Sequence, residues 1–252
     1  MAIIRLKDKV VIITGGGQGI GKVLSLRLAQ EGAKVAVVNQ AKAKAVADEI
    51  IARGQEAIGF RTDVSDEEST KVMVQTVMSK YGRIDVLVNN AAIFSTLKMK
   101  PFDEVDVEEW DAVMAVNLKG VFLCCKAVAP IMKTQKHGKI INMGASAWFF
   151  GRPYYIHYTT SKAGLSGLTR TLARELGDWN INVNMVTPGA VRTEISRDTV
   201  TPEQVKAMVN QRCIKREEVP EDLVGAVIFL ASEESDFISG QTINVDGGYY
   251  LY

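Results

Sequence analysis

A parallel, doubly wound α/β sheet of about seven strands, with helices on both faces and a single domain over residues 1–252, is the fold the sequence predicts. Two observations carry it. β-Branched apolar runs recur along the whole chain, and most segments between them are long enough for crossover helices. The runs are also nearly continuously apolar, as strands are when both faces of the sheet are covered. A length of 252 residues suits one such domain with a large core.

In chain order, the first strand is KVVIIT (9–14), which ends in glycines. KVAVV (34–38) and EAIGFRTDV (56–64) follow, then IDVLVNN (84–90), GKIINM (138–143), INVNMVTPG (181–189) and QTINVD (241–246). No repeat or low-complexity tract interrupts them. The most irregular region, 188–219, mixes turn residues with room for a short helix, and a substrate-covering loop is expected at about 190–212.

Lys plus Arg (30) nearly cancels Asp plus Glu (29), so no long-range field favours nucleic acid or an anionic membrane surface. No apolar run approaches a membrane span, and the N-terminus lacks a signal-peptide pattern. A soluble, cytoplasmic protein with neither a membrane nor a nucleic-acid partner is expected. Cys124, Cys125 and Cys213 have no metal-ligand spacing and read as buried thiols. With only His137 and His157 as histidines, no metal site is expected.

VVIITGGGQGIGKVLSLRLAQEGAKVAVVN reads as strand, glycine turn, amphipathic helix, strand. That is the context a dinucleotide fingerprint requires, and it makes the fold Rossmann-like. The glycines Gly15, Gly19 and Gly21 allow a tight turn, so that a pyrophosphate can sit on the N-terminus of the helix beginning near Gly19.

Later segments complete a likeness. TGGGQGIG, the Asp63–Val64 pair, NNAA (89–92), VNLKG, YTTSK and TPGAVRT occur in the order shown by short-chain dehydrogenase/reductases, and the chain resembles that family over essentially its whole length. The resemblance implies cofactor contacts from Gly15, Gln18, Gly19, Ile20, Gly21, Asn39, Asp63, Val64, Asn90, Ala91, Pro188, Gly189, Val191 and Thr193. It further implies Tyr158 as general acid/base, Lys162 as its electrostatic partner and ribose ligand, and Asn117 as anchor of a proton-relay water. Ala92 stands where the family's N-N-A-G segment has glycine, which changes packing more than chemistry.

Physical chemistry supports the Tyr158/Lys162 pair. Hydride transfer to a carbonyl needs a proton donor for the developing alkoxide. A phenol serves near neutral pH only with help, and a lysine four residues on, along the same helix face, places an ammonium to stabilise the phenolate. Asn39 ends the second strand where a carboxylate would exclude NADP. It can bond a ribose hydroxyl but does not repel a phosphate, so NAD is favoured and NADP use stays open. Lys42 and Lys44 lie nearby.

The family's carbonyl-orienting serine stands thirteen residues before the tyrosine, and ungapped alignment places Ala145 there, with Ser146 one place later. Three readings stand open: a bulge that brings Ser146 into the site, an engineered alanine, or a weakened relative. Substrate walls are expected from Ala145, Trp148, Phe150, Tyr155 and Ile195, with Phe149, Tyr154, Val191 and Met208 as further candidates. The segment loosely resembles 1-phenylethanol dehydrogenases, which implies a bulky or aromatic ketone or secondary alcohol, while sugars and hydroxysteroids remain open. Tyr249, Tyr250 and Tyr252 form an aromatic end suited to a partner chain, and a homotetramer is expected. The rival class is a nucleotide-binding sensor without turnover.

Overall fold

The computed structural model describes residues 4–195 and 201–251. Seven parallel strands stand in the order β3-β2-β1-β4-β5-β6-β7. They are β1 Val10–Thr14, β2 Lys34–Asn39, β3 Ala57–Arg61, β4 Val86–Asn89, β5 Gly138–Met143, β6 Ile181–Pro188 and β7 Thr242–Val245. Between them run α1 Gly19–Gln30, α2 Ala43–Ala52, α3 Glu67–Tyr81, α4 Val107–Met114, α5 Gly120–Gln135, α6 Ile156–Leu176, α7 Pro202–Gln211 and α8 Glu221–Ala231.

Alternation along the strands feeds two cores. Val11 and Ile13 of β1 pack with Leu24 and Leu28 of α1 and with Val227 and Ile228 of α8. Val10 and Ile12 face the other way, onto Met73 and Val77 of α3, Val128 and Met132 of α5 and Leu165 of α6. Both sets are almost fully buried. This is the burial pattern that near-continuous apolar runs imply for a parallel sheet. Strand order reverses between β1 and β4, which opens a crevice at the carboxyl ends of those two strands.

Several expectations are corrected. β3 stops at Arg61, short of Asp63 and Val64, because Asp63 turns out of the ladder to accept from the Ser65 amide and hydroxyl. β4 stops at Asn89, and the Asn90 side chain is committed to the glycine turn. The short helix for which residues 188–219 had room is present as α7, whose start is a capping box: Gln204 N donates to Thr201 Oγ1, Thr201 N donates to Gln204 Oε1, and Pro202 opens the helix. Residues 196–200 of that segment lie outside the described residues, as does Tyr252.

Helices α4 and α5 are joined by a π-helical turn, Ala115–Lys119, into one helix, Val107–Gln135, long and apolar enough to cross a membrane. Its apolar side packs on the sheet through Val121, Val128 and Met132, an origin for that composition within the fold. Cys124 and Cys125 are buried as expected, and burial pushes Cys125 up to about 12. Cys213, by contrast with the expectation of a buried thiol, is exposed.

Candidate active site

At the crevice, β1 hands over to Gly15, which adopts a left-handed φ of 65°. A Cβ there would meet Ala91 Cα at 2.8 Å, and a Cβ on Gly21 would collide with Gly15 O, so the turn and the first turn of α1 close only around bare backbone. Asn90 ties this turn to β4: its Nδ2 donates to Thr14 O and Gly15 O, both at 3.1 Å. Thr14 Oγ1 accepts from the amides of Asn90 and Ala91. The Gly19 amide, at the start of α1, donates to Glu194 Oε1 at 2.8 Å, so the helix N-terminus already faces a carboxylate oxygen.

At the other end of the crevice, the hydroxyl of Ser65, bonded to Asp63 at 2.6 Å, holds the Asp63 carboxyl below its usual range. Asn39 Oδ1 accepts from the amide of Gln40 at 2.9 Å. Lys44 pairs with Asp48 on the exposed face of α2.

Helix α6 carries Tyr158 and Lys162 one turn apart, both buried. Lys162 Nζ donates to Met143 O at 2.8 Å, at the end of β5, and lies 5.9 Å from the centre of the Tyr158 ring. Desolvation lowers Lys162 to about 8. The Tyr158 ring stacks on Phe94 at 4.2 Å between centres.

Asn117 is fully buried inside the π-helical turn. Its Oδ1 accepts from Ile93 N at 2.8 Å, and its Nδ2 donates to Ile93 O and to Ser161 Oγ, which in turn donates to Tyr158 O. The amide thus pins the segment after β4 to α6.

The β5–β6 register runs one residue to one residue from Gly138↔Ile181 to Met143↔Val186, and Gly144 N continues it by donating to Val186 O. No bulge shifts the chain before Ala145. Ala145 is extended, and its methyl shares an apolar cluster with Tyr158 and Tyr155. Ser146 opens a short turn of helix, buried on the same cavity wall.

These parts border one cavity of about 670 Å³. The size is in the range of small-molecule and cofactor sites. Glycine turns whose Cβ positions are filled by backbone, a helix N-terminus, Asn39 at the end of the second strand and Asp63 just after the third together fit a dinucleotide.

The family model described as enoyl-(acyl carrier protein) reductase matches residues 15–250. A 3-oxoacyl-(acyl-carrier-protein) reductase of Synechocystis is 40% identical, over 98% of this chain and 99% of its own. The protein of that name from Thermotoga maritima is 39% identical, over 98% of this chain and 100% of its own. A solved structure described as a short-chain alcohol dehydrogenase from Sinorhizobium meliloti superposes with a TM-score of 0.92, at 33% identity and with 98% of each chain covered.

The chain is a short-chain dehydrogenase/reductase. It therefore belongs to an oxidoreductase family that uses nicotinamide cofactors, and its Rossmann-like fold is that of its structural neighbour.

Most residues singled out from the sequence meet in this short-chain dehydrogenase/reductase cavity. Gly15, Gln18, Gly19, Ile20, Asn39, Asp63, Val64, Asn90, Ala91, Pro188, Gly189, Val191 and Thr193 line it with Tyr158 and Lys162. So do Ala145, Ser146, Phe150, Ile195 and Met208. Gly21 and Asn117 stand behind the wall as supports.

Trp148 and Tyr155 are corrections. Trp148 packs against the core on the α3/α5/α6 side of the sheet and sets its ring on Phe149. Tyr155 is 1% exposed, held behind Ala145 and Tyr158. Tyr154 is exposed. The aromatic tail also differs from expectation: Tyr250 stacks on Phe149 at 5.0 Å and Tyr249 meets Phe150 edge-on at 5.4 Å. The chain end thereby closes one side of the cavity instead of standing free.

Sequence reasoning passed over Phe94, Met99, Arg152, Arg212 and Tyr249, all of which line the cavity. Phe94 follows the NNAA segment closely enough to have been a candidate. The others arrive only through the path of the chain.

Proposed function

We propose that the chain interconverts a ketone and a secondary alcohol with a nicotinamide cofactor, using Tyr158 as general acid/base. The observation that carries this reading is the single cavity that places the glycine turn and Asp63 on one wall system with the buried Tyr158/Lys162 pair. The names of the relatives, 3-oxoacyl reductases and an alcohol dehydrogenase, belong to the same reaction class.

A bound nicotinamide supplies or accepts the hydride at this site. Gly15, Gln18, Gly19 and Ile20 would hold the pyrophosphate, with Gly21 keeping α1 close behind. Asn39, Asp63 and Val64 would take the adenosine end, and Asn90, Ala91, Pro188, Gly189, Val191 and Thr193 the nicotinamide end. Tyr158 passes its hydroxyl proton to the alkoxide, and the Lys162 ammonium stabilises the phenolate left behind. With Lys162 lowered only to about 8, the ammonium persists at neutral pH. Asn117, its amide fixed to Ile93, anchors the relay by which Tyr158 is reprotonated. Ser146 supplies the hydroxyl that meets the carbonyl oxygen, since Ala145 has none.

Phe94, Met99, Phe150, Met208 and Tyr249 make apolar walls that suit a bulky or aromatic ketone. NAD is the preferred cofactor, because neither Lys42 nor Lys44 borders the cavity to take a 2′-phosphate; the uncharged Asn39 does not repel one, so NADP use stays open. A cytoplasmic homotetramer of one domain per chain is the assembly proposed.

The Ala145 methyl beside Tyr158 favours a second reading, a nucleotide sensor with impaired turnover. Consumption of NADH with a panel of aryl and aliphatic ketones separates the two. Turnover that falls by about 10²–10⁴ in Tyr158→Phe supports the enzyme. Tight cofactor binding with no turnover of any carbonyl or alcohol supports the sensor.

A further inference from the structure

We propose that Arg152 makes the site selective for a carbonyl substrate that also carries a carboxylate, an oxo acid in the direction of reduction. This rests on the carbonyl-reduction reading above and names the substrate class for it.

Three cations border the cavity: Lys162, Arg212 and Arg152. The first two have fixed partners. Lys162 donates to Met143 O, and the buried Arg212 guanidinium bonds Glu218, Ala190 O and Arg216 O. Arg152 differs. It is half-buried, and among the described residues its guanidinium forms neither a hydrogen bond nor an ion pair; its Cζ sits over the Tyr155 ring, 4.7 Å from the centre. A contact with a ring face engages no N–H donor in a hydrogen bond, so the five donors of the guanidinium are left to bind something else.

The place of this cation matters as much as its freedom. Tyr155 packs against Phe94, and Phe94 stacks on Tyr158, so one aromatic series joins the Arg152 head to the general acid/base. Arg152 N donates to Ala147 O at 3.1 Å, which folds the segment back over the turn that begins with Ser146. Two carboxylates meet the described cavity: Asp63 on its wall, and Glu194, whose Oε1 takes the Gly19 amide. Asp63 stands just after β3, at the end assigned above to adenosine, and is bonded to Ser65, while Glu194 is held at the glycine turn. The substrate end is otherwise neutral, lined by Phe94, Ser95, Met99, Phe150, Met208 and Tyr249.

An unpaired planar cation at the edge of an apolar, partly enclosed wall is matched by a planar anion, because guanidinium and carboxylate meet through two parallel N–H···O bonds. The carboxylate takes no part in the chemistry. The hydride goes to the carbonyl carbon, the Tyr158 proton goes to its oxygen, and the anion only holds the carbonyl in reach. A charge-assisted contact of this kind is worth a factor of roughly 10 to 100 in kcat/KM.

The test compares benzoylacetate and levulinate with their methyl esters, in the wild type, Arg152→Met and Arg152→Lys, with circular dichroism to check folding. The acids are expected to exceed their esters by that factor in kcat/KM. Arg152→Met should erase the preference through KM, and Arg152→Lys should keep part of it. Equal kcat/KM for acid and ester in the wild type, or an acid preference that survives Arg152→Met, overturns the assignment. If neither acid nor ester is turned over, the carbonyl-reduction reading is what fails. Calorimetric titration of the NADH-loaded protein with levulinate then decides for Arg152: binding lost in Arg152→Met supports it, while absent or unchanged binding overturns it.

Discussion

Lys162 is a buried cation whose desolvation ties folding stability to pH. It is 3% exposed and is lowered from 10.5 to about 8 by desolvation, while its ammonium donates to Met143 O. In the unfolded chain the same ammonium keeps its proton to about 10.5. Below pH 8 both states carry the proton, and burying the charge costs the folded state its full penalty. Between pH 8 and 10.5 the folded state has lost the proton and the unfolded state has not, so the unfolded state binds more protons and stability rises with pH. At about 1.4 kcal/mol per pH unit, the gain over that window is about 3 kcal/mol. Lys162→Met keeps the length of the side chain and removes the titration. Urea unfolding of both proteins without cofactor, at several values from pH 7 to 11, supplies the difference in stability, from which titrating groups remote from Lys162 cancel; the same pair in a Tyr158→Phe background removes the phenol beside it. Wild type should gain about 3 kcal/mol on the variant across the window. The lost bond to Met143 O adds only a constant offset of about 1 kcal/mol. A difference that stays flat from pH 7 to 11 would refute the assignment of Lys162 as a desolvated ammonium.

Three further outcomes follow from the site. Ser146→Ala should lower kcat by about 10²–10³, the cost of one donor to a developing oxyanion, with Ala145→Ser changing little; the opposite pattern would return the role to position 145. Gly21→Ala drives a methyl onto Gly15 O and to 2.6 Å from Asn90 Nδ2, so it should destabilise the chain by about 1–3 kcal/mol and weaken cofactor binding, seen as a lower midpoint in thermal unfolding and a raised NADH Kd. Glu194→Gln removes a carboxylate that bonds the Gly19 amide at 2.8 Å, where a pyrophosphate would compete for it. NADH should bind roughly three- to tenfold tighter by fluorescence titration, and an unchanged Kd would count against that competition.

Much of the architecture was legible in the order of residues. Near-continuous apolar runs such as VVIIT and KVAVVN demand cover on both faces, and a parallel sheet with helices on each side is the arrangement that provides it. The glycine turn is partly local: Gly15 adopts a left-handed φ and Gly21 leaves room for Gly15 O, while the close approach of Ala91 to Gly15 comes from the neighbouring strand. Tyr158 and Lys162 share a helix face because four residues make about one turn.

Where an aromatic side chain points was not legible. Trp148 and Phe150 stand two residues apart, yet one enters the core and the other borders the cavity, because the chain between them is a tight helical turn and not a strand. Tyr249 reached the site only when the end of the chain folded onto Phe150, a contact across about a hundred residues. The partnerless state of Arg152 is likewise a tertiary fact, since it depends on which carboxylates the fold brings near. Local spacing determined the sheet, the glycine turn and the shared helix face of Tyr158 and Lys162, whose geometry spans one turn of backbone. Only the folded chain decided the walls of the substrate end, which are assembled from segments distant in sequence and meet through packing.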